Sequence, residues 1–105
     1  MKATKTAIVL GSLLLTAPAF ADEGLDLLKK SGCIGCHNID KKVMGPSFKD
    51  VAAKYASDTK AHDYLVDKIK GGSKGVWGSA DMLTNSPRVS DENIAKLADY
   101  ILSLK

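Results

Sequence analysis

The chain has 105 residues, with 15 lysines and arginines against 12 acidic residues, a formal net charge of +3 and two cysteines. Its lysines are scattered, and no basic stripe with interleaved aromatics occurs, which argues against a nucleic-acid-binding surface. The length allows one small domain with a thin core, a size that commonly needs a covalent or metal staple.

The N-terminus reads as an export leader. Lys2 and Lys5 form a positive head, Ala7 to Leu15 is an apolar run, and Ala19-Phe20-Ala21 has the small-x-small form of a cleavage site. The alternative is a retained anchor, but the run is short for a membrane span. Removal of residues 1–21 leaves one domain, residues 22–105. Both leader lysines go with it, and every acidic residue stays, so the net charge falls to about +1. No second apolar run of membrane length follows, so a soluble, exported protein without a stable membrane anchor is expected.

Asp22 to Ser31 reads as a first helix. Acidic residues open it, Lys29-Lys30 close it in accord with the helix dipole, Leu25 and Leu28 share a face, and Gly32 ends it. Next comes Cys33-Ile34-Gly35-Cys36-His37. Two thiols separated by two residues, with a histidine directly after, are the attachment signature of c-type haem. The thiols add to the vinyl groups as thioethers, and the imidazole takes one axial site on the iron. Two other readings of the pair fit less well. A thioredoxin-like disulfide belongs at a strand-to-helix junction, and no strand-rich segment precedes Cys33. A zinc site needs a second Cys/His pair at finger spacing, and His62 stands alone. A covalent haem would also be the staple that so small a domain needs.

Lys41 to Pro46 is a loop punctuated by Gly45-Pro46. The Pro46 carbonyl is well placed to accept a hydrogen bond from the free nitrogen of His37. Met44 lies too near His37 to reach the opposite haem face and reads as an apolar packing residue. Ser47 to Ala56 is a second helix capped by Ser47, with Phe48, Val51, Ala52 and Tyr55 on one face. Ala61 to Lys70 is a third, with Tyr64, Leu65, Ile69 and Val66 inward. His62 reads as a solvated surface histidine in preference to a second iron ligand.

Gly71 to Pro87 is a long irregular segment, and its Val76, Trp77, Met82 and Leu83 are expected out of water. The Trp77 N–H could meet a haem propionate. Met82 is the sixth-ligand candidate, because a thioether is a soft donor suited to haem iron; the plain alternative is a core gap-filler. Val89 to Lys105 is the clearest helix, capped by Ser90, with Ile94, Leu97, Ala98, Ile101 and Leu102 on one stripe and Tyr100 at its edge. No strand survives this reading.

Four stretches together carry a resemblance: Gly32 to Lys42, Gly45 to Tyr55, Ile69 to Gly78 and Val89 to Leu102. They resemble small bacterial class I cytochromes c of the c-551/c-552 type, over almost the whole of residues 22–105. The resemblance implies an all-α fold, a small cytochrome c fold of four to five helices around one covalent haem c. In it the N- and C-terminal helices cross, with Leu28 and Tyr100 at the crossing. It implies Cys33 and Cys36 as thioether sites and His37 and Met82 as axial ligands. Lys68 and Trp77 match propionate-holding positions, and Asn85 matches an asparagine that bonds near the methionine sulfur. The implied role is a periplasmic, non-enzymatic, monomeric one-electron carrier. Its implied partners are an upstream cytochrome or quinol-oxidising complex and a downstream terminal oxidase, nitrite reductase or peroxidase. One departure stands out. The family brackets its methionine as Pro-Met-Pro-Pro, whereas here the run is Asp81-Met82-Leu83-Thr84, and Pro87 is displaced. This loop therefore lacks the backbone angles that proline would fix.

Overall fold

The computed structural model describes residues 19–105. The expected leader lies, for residues 1–18, outside the described residues. Four α-helices follow one another: α1, Ala19–Lys30; α2, Phe48–Lys54; α3, Ala61–Gly71; and α4, Asp91–Leu102, with one 3₁₀ turn at Cys33–Gly35. Among the described residues there is no strand, only an isolated antiparallel bridge between Ser73 and Met82.

Local chemistry accounts for the helix ends. The Ser47 hydroxyl accepts from Asp50 N at 3.1 Å, and the Ser90 hydroxyl accepts from Asn93 N at 3.2 Å, each satisfying a donor that the first turn leaves open. Gly32, with φ at 75°, ends α1 in the left-handed region, and its N–H donates to Lys29 O. The first helix begins at Ala19 instead of Asp22, with two alanines, the best helix formers, just upstream. The second stops at Lys54 and the fourth at Leu102, each a little short of the expected end.

Helix α4 is the hub, with α1, α2 and α3 each packed on it. Leu28, Ile94 and Leu97 are fully buried, and each such side chain contributes about 1.5–3 kcal/mol by leaving water. Tyr100, at the edge of its stripe by periodicity and at the helix crossing by resemblance, is buried, and Leu102 is turned partly outward. The reason lies in α1. Gly24 sits beneath the Tyr100 ring, and a Cβ there would penetrate the ring atoms. A residue without a side chain thus makes the place where the N- and C-terminal helices meet.

Candidate haem site

The turn that carries the cysteines is built by backbone bonds. Cys33 O accepts from Cys36 N at 3.3 Å and from His37 N at 3.0 Å, and Gly32 O accepts from Gly35 N at 3.2 Å. In a 3₁₀ turn, residues i and i+3 eclipse, so Cys33 and Cys36 share one face. No disulfide joins them. Burial pushes the Cys33 thiol above the usual range, opposed by the nearby positive charge of Arg88.

His37 is held on three sides. Its ring stacks on Phe48, with centroids 4.8 Å apart and planes inclined by 25°. Its Nδ1 lies 2.8 Å from Pro46 O. A carbonyl can only accept, so Nδ1 carries the proton and the Nε2 lone pair is left to act as a ligand. Gly45 lies against the ring, and a Cβ there would come within 2.8 Å of Nδ1. That closeness is a reason for glycine beside Pro46.

Met82 approaches from the far segment. Its N–H donates to Ser73 O at 2.9 Å, and its carbonyl accepts from Ser73 N at 3.1 Å. Gly72, with φ at 77°, lets the Met82 carbonyl pass where a side chain would stand. Two further backbone bonds, from Asn85 N and Ser86 N to Lys70 O at 3.3 Å each, fasten the loop to the end of α3. These backbone bonds tie down a loop that has no proline next to its methionine. Leu83 corrects an expectation: it is 79% exposed. In extended backbone, neighbours face opposite ways, so Met82 turning inward sends Leu83 outward.

These segments enclose a cavity of about 430 Å³. Its lining includes all eight sequence candidates: Cys33, Cys36, His37, Pro46, Lys68, Trp77, Met82 and Asn85. Trp77 stands edge-on to Tyr55 at 6.5 Å, with the Lys54 ammonium 4.4 Å from its centroid. The Lys68 ammonium lies 5.4 Å from the Tyr64 centroid and 3.8 Å from Asp67. Asn85 fastens the loop next to Met82. Its Nδ2 donates to Ile69 O at 2.8 Å and to Leu83 O at 3.4 Å, so both N–H groups serve backbone carbonyls. Met44 is on the cavity lining yet 62% exposed, a rim residue more than a packing one. His62 is outside the cavity; its Nε2 faces Asp99 at 3.2 Å and Ala95 O at 3.3 Å, joining α3 to α4. No described cluster of three or more metal-ligating side chains competes with this site.

The cytochrome c family model matches residues 21–105. The chain belongs to the cytochrome c family. Cytochrome c-552 of Nitrosomonas europaea is 49% identical over 105 residues, covering all of both chains. Cytochrome c-551 of Pseudomonas aeruginosa is 46% identical over 92 residues, covering 88% of this chain and 86% of that one. The crystal structure of wild-type Nitrosomonas europaea cytochrome c552 superposes with a TM-score of 0.74 at 54% identity, covering 77% of this chain and 99% of that one. The class 1 cytochrome MtoD of Sideroxydans lithotrophicus ES-1 gives a TM-score of 0.67 at 31% identity, covering 79% of this chain and 94% of that one. The fold is that of small cytochromes c, and the protein is a monohaem c-type electron carrier with one covalently bound haem c.

The residues present fit that group. Largely apolar walls, two adjacent cysteines not joined by a disulfide, an imidazole with a directed lone pair and a soft thioether suit a flat apolar macrocycle with a central iron. Sequence reasoning missed the Ser73–Met82 bridge and Arg88, also on the cavity lining. Backbone pairing of two residues leaves no side-chain pattern to read.

Proposed function

We propose that this cytochrome is periplasmic and carries single electrons between respiratory redox partners, with Cys33 and Cys36 as thioether sites and His37 and Met82 as axial ligands. The observation that carries the reading is that one cavity gathers both thiols, the His37 imidazole and Met82. When bound, the haem supplies a one-electron ferric–ferrous couple. Pro46 holds the imidazole in its tautomer and orientation, and raises its basicity. The Met82 thioether, a soft donor, favours the reduced state and so a higher potential. With His37 and Met82 both engaged, no position is left for a substrate, which agrees with a carrier and not an enzyme. Lys68 and Trp77 line the same cavity as candidates for the propionates, a cation and an N–H donor respectively. Export follows from the leader read over residues 1–21, and no described helix is long and apolar enough to cross a membrane.

Partners would dock at the mouth of the cavity. Ile34, Val43, Met44 and Leu83 are all at least half exposed there or in its flanking turns. Exposed Lys41 and Lys42 adjoin Val43. A small apolar patch rimmed by cations suits brief association with an acidic rim, fast on and fast off. The upstream partner would be a cytochrome or quinol-oxidising complex, the downstream one a terminal oxidase, nitrite reductase or peroxidase. The protein would work as a monomer.

The test is spectroscopy and mass on protein from the periplasmic fraction. The mass should equal residues 22–105 plus one haem, with no free thiol. The oxidised protein should show the far-red sulfur-to-iron charge-transfer band, and Met82→Ala should lose it and bind carbon monoxide readily when reduced. A wild type that lacks the band at neutral pH, or binds carbon monoxide as readily as the variant, would rule out Met82 as a ligand.

A further inference from the structure

We infer that Arg88 is the positioning residue of the Met82 loop: its guanidinium clamps the Asn85 side chain, and Asn85 in turn fastens the loop to the end of α3. Arg88 is the only arginine in the chain. Among the described residues it forms no ion pair. Its short contact is Nη2 donating to Asn85 Oδ1 at 2.7 Å, a charge-assisted bond. The other end of that amide donates to Ile69 O, in the last turns of α3, and to Leu83 O, next to Met82. Asn85 O also accepts from Val89 N at 2.7 Å. The amide is thereby oriented from both ends. Without a donor on Oδ1 it could rotate, and the bonds to Ile69 and Leu83 would be lost with it. Arg88 also lies beside the haem-motif turn: Nη1 is 4.0 Å from where a Cβ on Gly32 would stand. The clamp closes a loop that has no proline next to its methionine. It acts on Met82 through Asn85 and the loop backbone. Its consequence for ligation rests on the reading of Met82 as a ligand; its consequence for the loop does not.

The experiment uses the haem-loaded protein with Arg88→Met, Arg88→Lys and Asn85→Ala. Two quantities are read: amide hydrogen exchange at Met82 and Ser73, which are bonded across the bridge, and the imidazole concentration that half-displaces the far-red band of the oxidised protein. A charge-assisted bond at the surface is worth a factor of about five to ten here. Arg88→Met should speed exchange and lower the imidazole midpoint by that factor, with Arg88→Lys in between, because it keeps the charge and a donor. In the Asn85→Ala background, Arg88→Met should add less than about twofold, as coupled residues require. Wild-type exchange and midpoint in Arg88→Met would overturn the clamp, and so would a full-sized effect that persists without Asn85. A wild type with no far-red band, but with exchange that still depends on Arg88, would sink Met82 ligation and leave the clamp standing.

Discussion

His37 shows how little of a side chain's placement is its own. Phe48 stacks on one face, Pro46 fixes Nδ1, and Gly45 allows the approach. The ring has nowhere to retreat. Gly45→Ala should therefore cost about 1–3 kcal/mol, the scale of overpacking in a rigid setting, read from the denaturant midpoint of the haem-loaded protein. The same variant should weaken the His37 to Pro46 bond, visible as faster solvent exchange of the Nδ1 proton by NMR. Tyr55 supplies a test in pH. Burial, then its interaction with Tyr64, pushes its hydroxyl from 10.0 up to about 12. The folded state thus holds the phenol proton more tightly than the unfolded chain does. Stability from this group is fully present below pH 10 and is lost as pH rises toward about 12. Tyr55→Phe should lose less stability than wild type across that window in denaturant titrations. Equal slopes for the two proteins would refute the assignment.

Among the elements, α4 depends on its start. Ser90 bonds the Asn93 N–H, and Asp91 and Glu92 follow in the first turn. Ser90→Ala should cost about 1 kcal/mol in chemical denaturation. Gly24 reverses a familiar expectation in α1. In most helix interiors glycine to alanine gains about 1 kcal/mol. Here the added methyl would meet Tyr100, so Gly24→Ala should destabilise. Helices of this kind were legible in the amino-acid order because caps and 3.6-residue periodicity belong to side chains. Ser47, Ser90 and the stripe from Ile94 to Ile101 announce themselves. The burial of Tyr100 was legible only through the family resemblance and not through periodicity, because it follows from an absent side chain on another helix. That eight candidate residues line one cavity agrees with a reading from residue type, since donor chemistry is written there. The fastening of the Met82 loop was not legible. Its bonds run through the carbonyls of Ile69, Lys70 and Ser73, which any residue possesses. Asn85 was placed correctly on the cavity but bonds backbone carbonyls, a job that residue type alone does not distinguish from contact with sulfur.

At the scale of the whole molecule, the core and the cavity share residues. Phe48, Val51, Leu65, Ile69, Leu97 and Ile101 belong to both. Those side chains pack on one another on one side and face the cavity on the other, so the group that fills it completes the core. A void of about 430 Å³, were it dry, would cost about 10 kcal/mol at the usual rate per unit volume. Small domains are stable by only about 5–15 kcal/mol in total. If water enters instead, apolar walls from three helices are wetted and the hydrophobic gain of those helices shrinks. Neither alternative leaves enough to order α2 and α3, whose inward faces are largely cavity wall. The bare chain should therefore not hold this fold. The Cys33→Ser, Cys36→Ser double variant, purified free of haem, should lose most of the far-UV circular dichroism signal of the haem-loaded protein and all of its cooperative thermal transition. Serine keeps the size and polarity of the turn, so any loss reports on the missing cofactor and not on the substitution. A dispersed, native-like NMR spectrum from that variant would show instead that packing on α4 suffices, and that the haem is cargo in a finished fold.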